Sequence, residues 1–142
     1  MIVLGLTGGI DATHENVYDF PFDFIHDSAA VLVRDGRVLA GIESERLNRI
    51  KHTNKSWGPA ARFCLEQAGL KVGDVDAFAY YASEDYCDRL LEHLYLKDFG
   101  LGTLLTGRTM ITGILRREFG GEIDPAKVRF VHHHQGHAVA AC

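Results

Sequence analysis

Ala29-Ala-Val-Leu-Val-Arg34, then Asp35-Gly36, then Arg37-Val-Leu-Ala-Gly-Ile-Glu43 is the stretch that decides the fold. Two largely apolar runs flank an Asp-Gly pair. Glycine takes the positive φ that a tight turn needs, so the segment predicts an antiparallel hairpin. Upstream, Ile2 to Leu6 is a β-rich run reaching Gly8-Gly9 and predicts a buried strand that delivers a tight turn. The aromatic and acidic stretch from Ile10 to Ile25, interrupted by Pro21, predicts a loop.

Downstream of the hairpin the periodicity changes. Ser56 is placed as N-cap of a helix from Trp57 to Ala68, with Pro59 near its first turn and Gly69 just past its end. Ala60, Phe63, Cys64 and Ala68 then share one face. Val75 to Ala82 predicts a buried strand. Asp85 to Phe99 carries Leu90, Leu91 and Leu94 at helical spacing, and Thr103 to Phe119 carries Leu104, Ile111, Ile114 and Leu115 in the same way. Val128 to Val131 predicts a last strand leading into a histidine cluster. Antiparallel strands first and crossover helices afterwards imply an α/β domain with a mixed sheet. No internal repeat interrupts this order, and Gly100 to Gly102 is a weak hinge candidate.

Bulk properties narrow the function. The 142 residues are 46% apolar, 10% aromatic and 24% charged, which is an ordinary globular composition able to bury one core. A net charge of -4 with interspersed signs offers no basic patch, so nucleic acid is not an expected partner and small-molecule chemistry fits better. Cys64, Cys87 and Cys142 are far apart and read as free thiols. The apolar start is too short for a signal segment and no run reaches the ~18 apolar residues of a membrane span, so a cytoplasmic protein with no membrane partner is expected. The apolar turns from His137 to Cys142 lack a closing signal and suggest a truncated chain.

Three constellations bear on chemistry. In His132-His133-His134-Gln135-Gly136-His137, residues 133 and 137 are four apart and so lie on one helical face, where two imidazoles can meet one metal ion. No Glu follows His133, which excludes the metalloprotease pattern, and two imidazoles leave a site short of ligands. The alternative is a solvated or capping histidine cluster. In His26-Asp27-Ser28, Asp27 can orient His26 as a general base, or Asp27 and Ser28 can meet a polar substrate; strand-entry capping is the alternative. The run from Glu43 through Glu45, Arg46, Arg49 and Lys51 to His52 holds three fixed cations suited to a phosphate-like anion, against the reading of a solvated face. Gly8-Gly9 is a weaker phosphate signal, lacking a full glycine-rich pattern.

Taken together, the opening VLGLTGG, the block HDSAAVLVRDGRVLAGIESERLNRIKH, the helix ending CLEQAGL, the strand DVDAFAYYAS and the closing HHHQGHAVAA resemble the NodU/CmcH family of O-carbamoyltransferases over nearly the whole chain. The resemblance implies an ASKHA (actin-like ATPase, ribonuclease H-like) mixed sheet with flanking helices, of which residues 1–142 would be the N-terminal part. The remainder of that domain and a YrdC-like domain would lie elsewhere. It implies transfer of a carbamoyl group from carbamoyl phosphate, through carbamoyl-adenylate made with ATP, to a hydroxyl of a natural product or sugar. His133 and His137 would bind a divalent metal, iron or zinc, that polarises the carbamoyl carbonyl. His26 and Asp27 would lie near the acceptor hydroxyl with His26 as base, and Ser28, Glu43, Arg46, Arg49, Lys51 and His52 would bind substrate or steady the leaving group. Against the family pattern, the stretch from Gly9 to His26 is long, and His14 within it competes with His26. Threonylcarbamoyl transfer to tRNA and a non-catalytic binding fragment are the competing functions. A truncated sheet is expected to self-associate.

Overall fold

The structure, a computed structural model, describes residues 1–9, 27–97 and 104–140, with positions 94, 97, 136, 137, 139 and 140 described in backbone only. The expected loop from Ile10 to Ile25, His14, His26 and the hinge candidate at Gly100 to Gly102 lie outside the described residues.

The hairpin forms as its sequence requires. β2 (Ala29–Arg34) and β3 (Arg37–Glu43) pair antiparallel about Asp35-Gly36, where both residues take positive φ, 49° and 79°. Leu32 pairs with Ala40 but Val33 with Val38, so Leu39 is the extra residue of a bulge that the alternation did not announce. β1 (Ile2–Thr7) lies antiparallel to β2 on one side and parallel to β4 (Ala77–Tyr80) on the other, and β5 (Val128–Phe130) extends the parallel half. The order β3-β2-β1-β4-β5 is the mixed α/β sheet that the element order implied. The β4 strand is shorter than expected because its register against β1 is used only from Ala77 to Tyr80.

Leu4, Leu6, Ala30, Leu32, Phe78, Tyr80 and Val128 alternate onto one face and are buried there. Three helices cover them: α2 (Gly58–Gln67), α3 (Glu84–Lys97) and α4 (Gly107–Phe119). A short helix, α1 (Glu45–Asn48), sits in the charge run where no helix was expected. Trp57 rather than the expected Ser56 is the N-cap of α2, and Ser56, one residue further out, accepts from the Gly58 amide through Oγ at 3.0 Å. Ala61 and Leu65 are buried with Ala60 and Cys64, while Phe63 and Ala68 are only partly covered, so the buried face is rotated from the expected one. The fourth helix begins at Gly107 rather than near Thr103 because Thr106 caps it, its hydroxyl accepting from the Thr109 amide at 3.2 Å. Leu104 is left outside the helix and half exposed. Arg108 grips Glu84 through two nitrogens, at 2.7 and 2.8 Å, and locks α4 onto α3.

The opposite sheet face carries Val3, Gly5, Val31, Val33 and Ala79 and is open among the described residues. Val31 is 36% exposed there. Among the described residues no helix is long and apolar enough to cross a membrane.

Both described cysteines are free and buried in the helical layer. Burial, with Asp88 and Glu84 nearby, pushes the Cys87 thiol up to about 12, and burial also raises Cys64. At pH 8 roughly one Cys87 in 10⁴ is then thiolate. With Cys142 replaced by Ser, a thiol-reactive disulfide at pH 8 is expected to leave the native chain unmodified and to titrate two thiols in denaturant. Fast native labelling at Cys87 would contradict the α3–α4 packing.

Candidate functional site

Strand direction brings distant segments to one edge of the sheet. Residues preceding β2 and following β3 lie beside the end of β1, because those strands alternate in direction. The ends of β4 and β5 reach the same edge, because both run parallel to β1. The edge therefore collects Gly8-Gly9, Asp27-Ser28, Ser44-Glu45, Tyr81 and Val131 to His133. The crevice outside the carboxyl ends of parallel strands is where open α/β sheets bind ligands.

Gly8 and Gly9 have a packing reason. Gly8 takes φ 73° and its carbonyl accepts from the Tyr80 hydroxyl at 2.9 Å. A Cβ on residue 9 would fall 1.9 Å from the Asn54 carbonyl oxygen, so only glycine lets the 53–55 segment lie against β1.

That segment is tied to the hairpin by a buried polar node. The Ser28 amide donates to the Thr53 carbonyl at 3.1 Å, the Ser44 amide donates to the Ser28 carbonyl at 2.7 Å, and the two serine hydroxyls share a hydrogen bond at 3.0 Å. Thr53 Oγ1 accepts from Asn48 Nδ2 and from the Lys55 amide. Ser28, Ser44 and Thr53 are all buried, so these bonds are made away from water and leaving one unmade would cost about 1–3 kcal/mol. Ser28, a candidate substrate ligand by sequence, is placed inside this node.

Asp27 and His52 flank the node on its solvent side. Asp27 Oδ1 lies 2.7 Å from His52 Nδ1, joining the HDSAA block to the end of the charge run. Both residues have left-handed backbone, φ 53° and 52°, uncommon for residues other than glycine. His52 is held from behind as well: its amide donates to Glu45 Oε2 at 3.1 Å, while Lys51 Nζ reaches Glu45 Oε1 at 3.2 Å. The His52 amide, with Lys51 beside it, holds the Glu45 carboxyl below its ordinary value of 4.5.

Glu45, Arg46, Arg49 and Lys51 line a cleft of about 400 Å³. Arg46 pairs with Glu43 at 3.4 Å and with Glu45 at 3.6 Å. Arg49, the left-handed C-cap of α1, makes no ion pair among the described residues. The cleft can accept an anion without breaking a strong pair, because exposed pairs of this kind are worth little.

At the other end of the edge, β5 leads into α5 (His133–Ala140). The His132 carbonyl accepts from the Gln135 amide at 3.0 Å, so His132 also serves the helix start. His133 opens the helix and stands edge-on to Tyr81 at 5.5 Å. Burial, then Tyr86 and Cys87, push the Tyr81 phenol up to about 12, so it meets the imidazole as a neutral ring. Positions 133 and 137 are one helical turn apart in α5; the side chain of His137 lies outside the described residues. Among the described residues no three His, Cys, Asp or Glu side chains gather as a metal set. A second cavity, of about 390 Å³, lies over the open sheet face and runs from Ala29 at the start of β2 to His133, lined among others by Thr7, Tyr81 and His132.

Sequence reasoning brought Asp27, Glu43, Arg46, Arg49, Lys51, His52 and His133 forward, and the structure places all of them along this edge. It missed Ser44, Asn48 and Thr53, whose spacing carries no motif, and Tyr81, whose only signal is its position at the end of β4.

The family model described as Carbamoyltransferase N-terminus matches residues 21–142. Nodulation protein NolNO of Sinorhizobium fredii is 48% identical over 141 residues, covering 99% of this chain and 21% of the relative. An uncharacterized 19.2 kDa protein of Rhizobium etli is 48% identical over 96 residues, 68% of this chain and 56% of its own length. An uncharacterized protein of Synechocystis, sll1178, is 29% identical over 133 residues, 83% of this chain and 22% of its own length. The chain thus spans about a fifth of NolNO.

Because the Glu45 carboxyl is held below 4.5, its hold on the 51–52 turn is complete above that value and is lost as pH falls through the lowered one. The His52 amide resonance is expected to show an acid transition below pH 4.5 that Glu45→Gln abolishes. An amide unmoved down to acid unfolding would contradict the contact.

Proposed function

The chain belongs to the carbamoyltransferase N-terminal family, and on that premise we propose that it supplies the acceptor side of an O-carbamoyltransferase. Within a longer protein, a carbamoyl group would pass from carbamoyl phosphate, by way of carbamoyl-adenylate made with ATP, to a hydroxyl of a sugar or natural product. The observation that carries this reading is the convergence of an imidazole–carboxylate pair, a cationic cleft and the His133 helix on one sheet edge. The strand order, an antiparallel hairpin followed by two parallel strands, supports the ASKHA assignment.

Each part then has a task. Arg46, Arg49 and Lys51 attract the phosphate of the donor and steady it as it leaves. Glu43 and Glu45 keep Arg46 and Lys51 extended over the cleft, and Ser28 fixes the strand entry that carries Asp27. A histidine beside Asp27, His26 or His52, takes the proton of the acceptor hydroxyl. Positions 133 and 137 of α5 fit two imidazole ligands of one divalent ion, iron or zinc, whose further ligands come from outside the described residues. Bound there, the metal supplies Lewis acidity to the carbamoyl carbonyl. The net charge of -4 favours a small-molecule acceptor over tRNA.

Equilibrium uptake of ferrous iron and of zinc tests the metal half. One ion per chain is expected, with His133→Ala and His137→Ala each weakening it at least about tenfold. Uptake indifferent to both substitutions would remove the metal role. Labelled carbamoyl phosphate, ATP and a panel of sugars, given to the longer protein, test the reaction. ATP-dependent label on a sugar hydroxyl is expected, and formation of carbamoyl-adenylate without transfer to any hydroxyl would remove the acceptor role.

A further inference from the structure

We infer that His52 is the catalytic base of the transfer and Asp27 its positioning residue, the two forming a dyad with a single imidazole tautomer. The assignment rests on the carbamoyl-transfer reading and deepens it.

The geometry is specific at three levels. Asp27 Oδ1 sits 2.7 Å from His52 Nδ1, so a neutral ring donates from Nδ1 and leaves the Nε2 lone pair outward. An exposed pair by itself would mean little, but this one is set from beneath. Asp27 precedes Ser28 and His52 precedes Thr53. Both of those neighbours are buried, and they are joined directly by the Ser28 amide and the Thr53 carbonyl at 3.1 Å. The two left-handed residues then turn their side chains toward each other from a fixed base. A third restraint, the His52 amide on Glu45, ties the His52 backbone to the cationic cleft, since the same carboxylate receives Lys51. Transfer from a phosphate-activated donor to a hydroxyl calls for a base near the acceptor and cations near the leaving phosphate, and Glu45 holds the two side by side here.

The step balances without further reagents. The acceptor O–H proton passes to His52 Nε2 as the hydroxyl oxygen bonds to the carbamoyl carbon. The bond from that carbon to the phosphate oxygen of the mixed anhydride breaks, and the phosphate group leaves with the electron pair toward the cleft cations. The products are the carbamate ester, the phosphate-bearing leaving group and an imidazolium, which returns its proton to solvent.

The test has one arm that needs no activity. In the full chain labelled with ¹⁵N-histidine, the neutral His52 ring is expected wholly in the Nδ1–H form, and Asp27→Asn is expected to shift it toward Nε2–H. Wild-type His52 in the Nε2–H form, or in a mixture that Asp27→Asn leaves unchanged, overturns the dyad even if the longer protein transfers carbamoyl groups. In that longer protein, His52→Ala is expected to slow transfer about 10²-fold or more with the donor KM little changed. Added imidazole is expected to restore part of the rate, which it would not do for a merely structural residue. A rate within twofold of wild type, or a loss that imidazole never rescues, overturns the catalytic role. An Nδ1–H ring in a wild-type protein that transfers no carbamoyl group overturns the carbamoyl reading and this assignment with it.

Discussion

The hydrogen bond from the Ser28 amide to the Thr53 carbonyl holds the hairpin half of the candidate edge together. It joins the entry of one hairpin strand to the segment that follows the charge run, and it does so where water cannot compete. Ser44 closes the same node from the end of the partner strand, through its amide and its hydroxyl. Each surface feature of that half of the edge grows from a residue adjacent to this node: Asp27 from Ser28, His52 from Thr53, Glu45 from Ser44. Chemistry placed on solvent-exposed side chains thereby inherits the rigidity of buried backbone.

Much of the scaffold was legible because its determinants are local. Asp35-Gly36 between two apolar runs dictates a hairpin, and the helical spacing of Ile111, Ile114 and Leu115 announces the buried face of α4. The misses also have physical causes. A bulge at Leu39 preserves the apolar character of the strand, so alternation does not reveal it. The length of β4 is set by where β1 can pair with it, a nonlocal condition.

The site was legible in residue type but not in pairing. The carboxylate of Asp27 was assigned to its neighbour His26, outside the described residues, whereas one of its oxygens lies on His52, 25 positions away. Nothing in a linear motif shows that two residues will adopt left-handed backbone and turn toward one another. The hydroxyl of Ser28 shows the opposite difficulty, since a polar residue in a suggestive motif turned out to be buried against another serine. For positions 133 and 137 the expected helix is present, and helix geometry converts four positions into one face.

The central position of β1 shapes the order in which such a chain acquires its structure. Its antiparallel neighbour is within reach early, but the Ile2 amide finds the Asp76 carboxylate only across 74 positions, and the parallel pairing begins at Val3 and Ala77. Closing so long a loop costs more chain entropy than closing the β2–β3 hairpin, whose strands are joined by two residues. Folding should therefore run outward from the hairpin, with the parallel half of the sheet and the histidine helix joining last. The two halves of the candidate edge are then products of different folding stages, and until the later one is complete the molecule can carry a formed Asp27–His52 corner without the His133 helix at the other end of the edge.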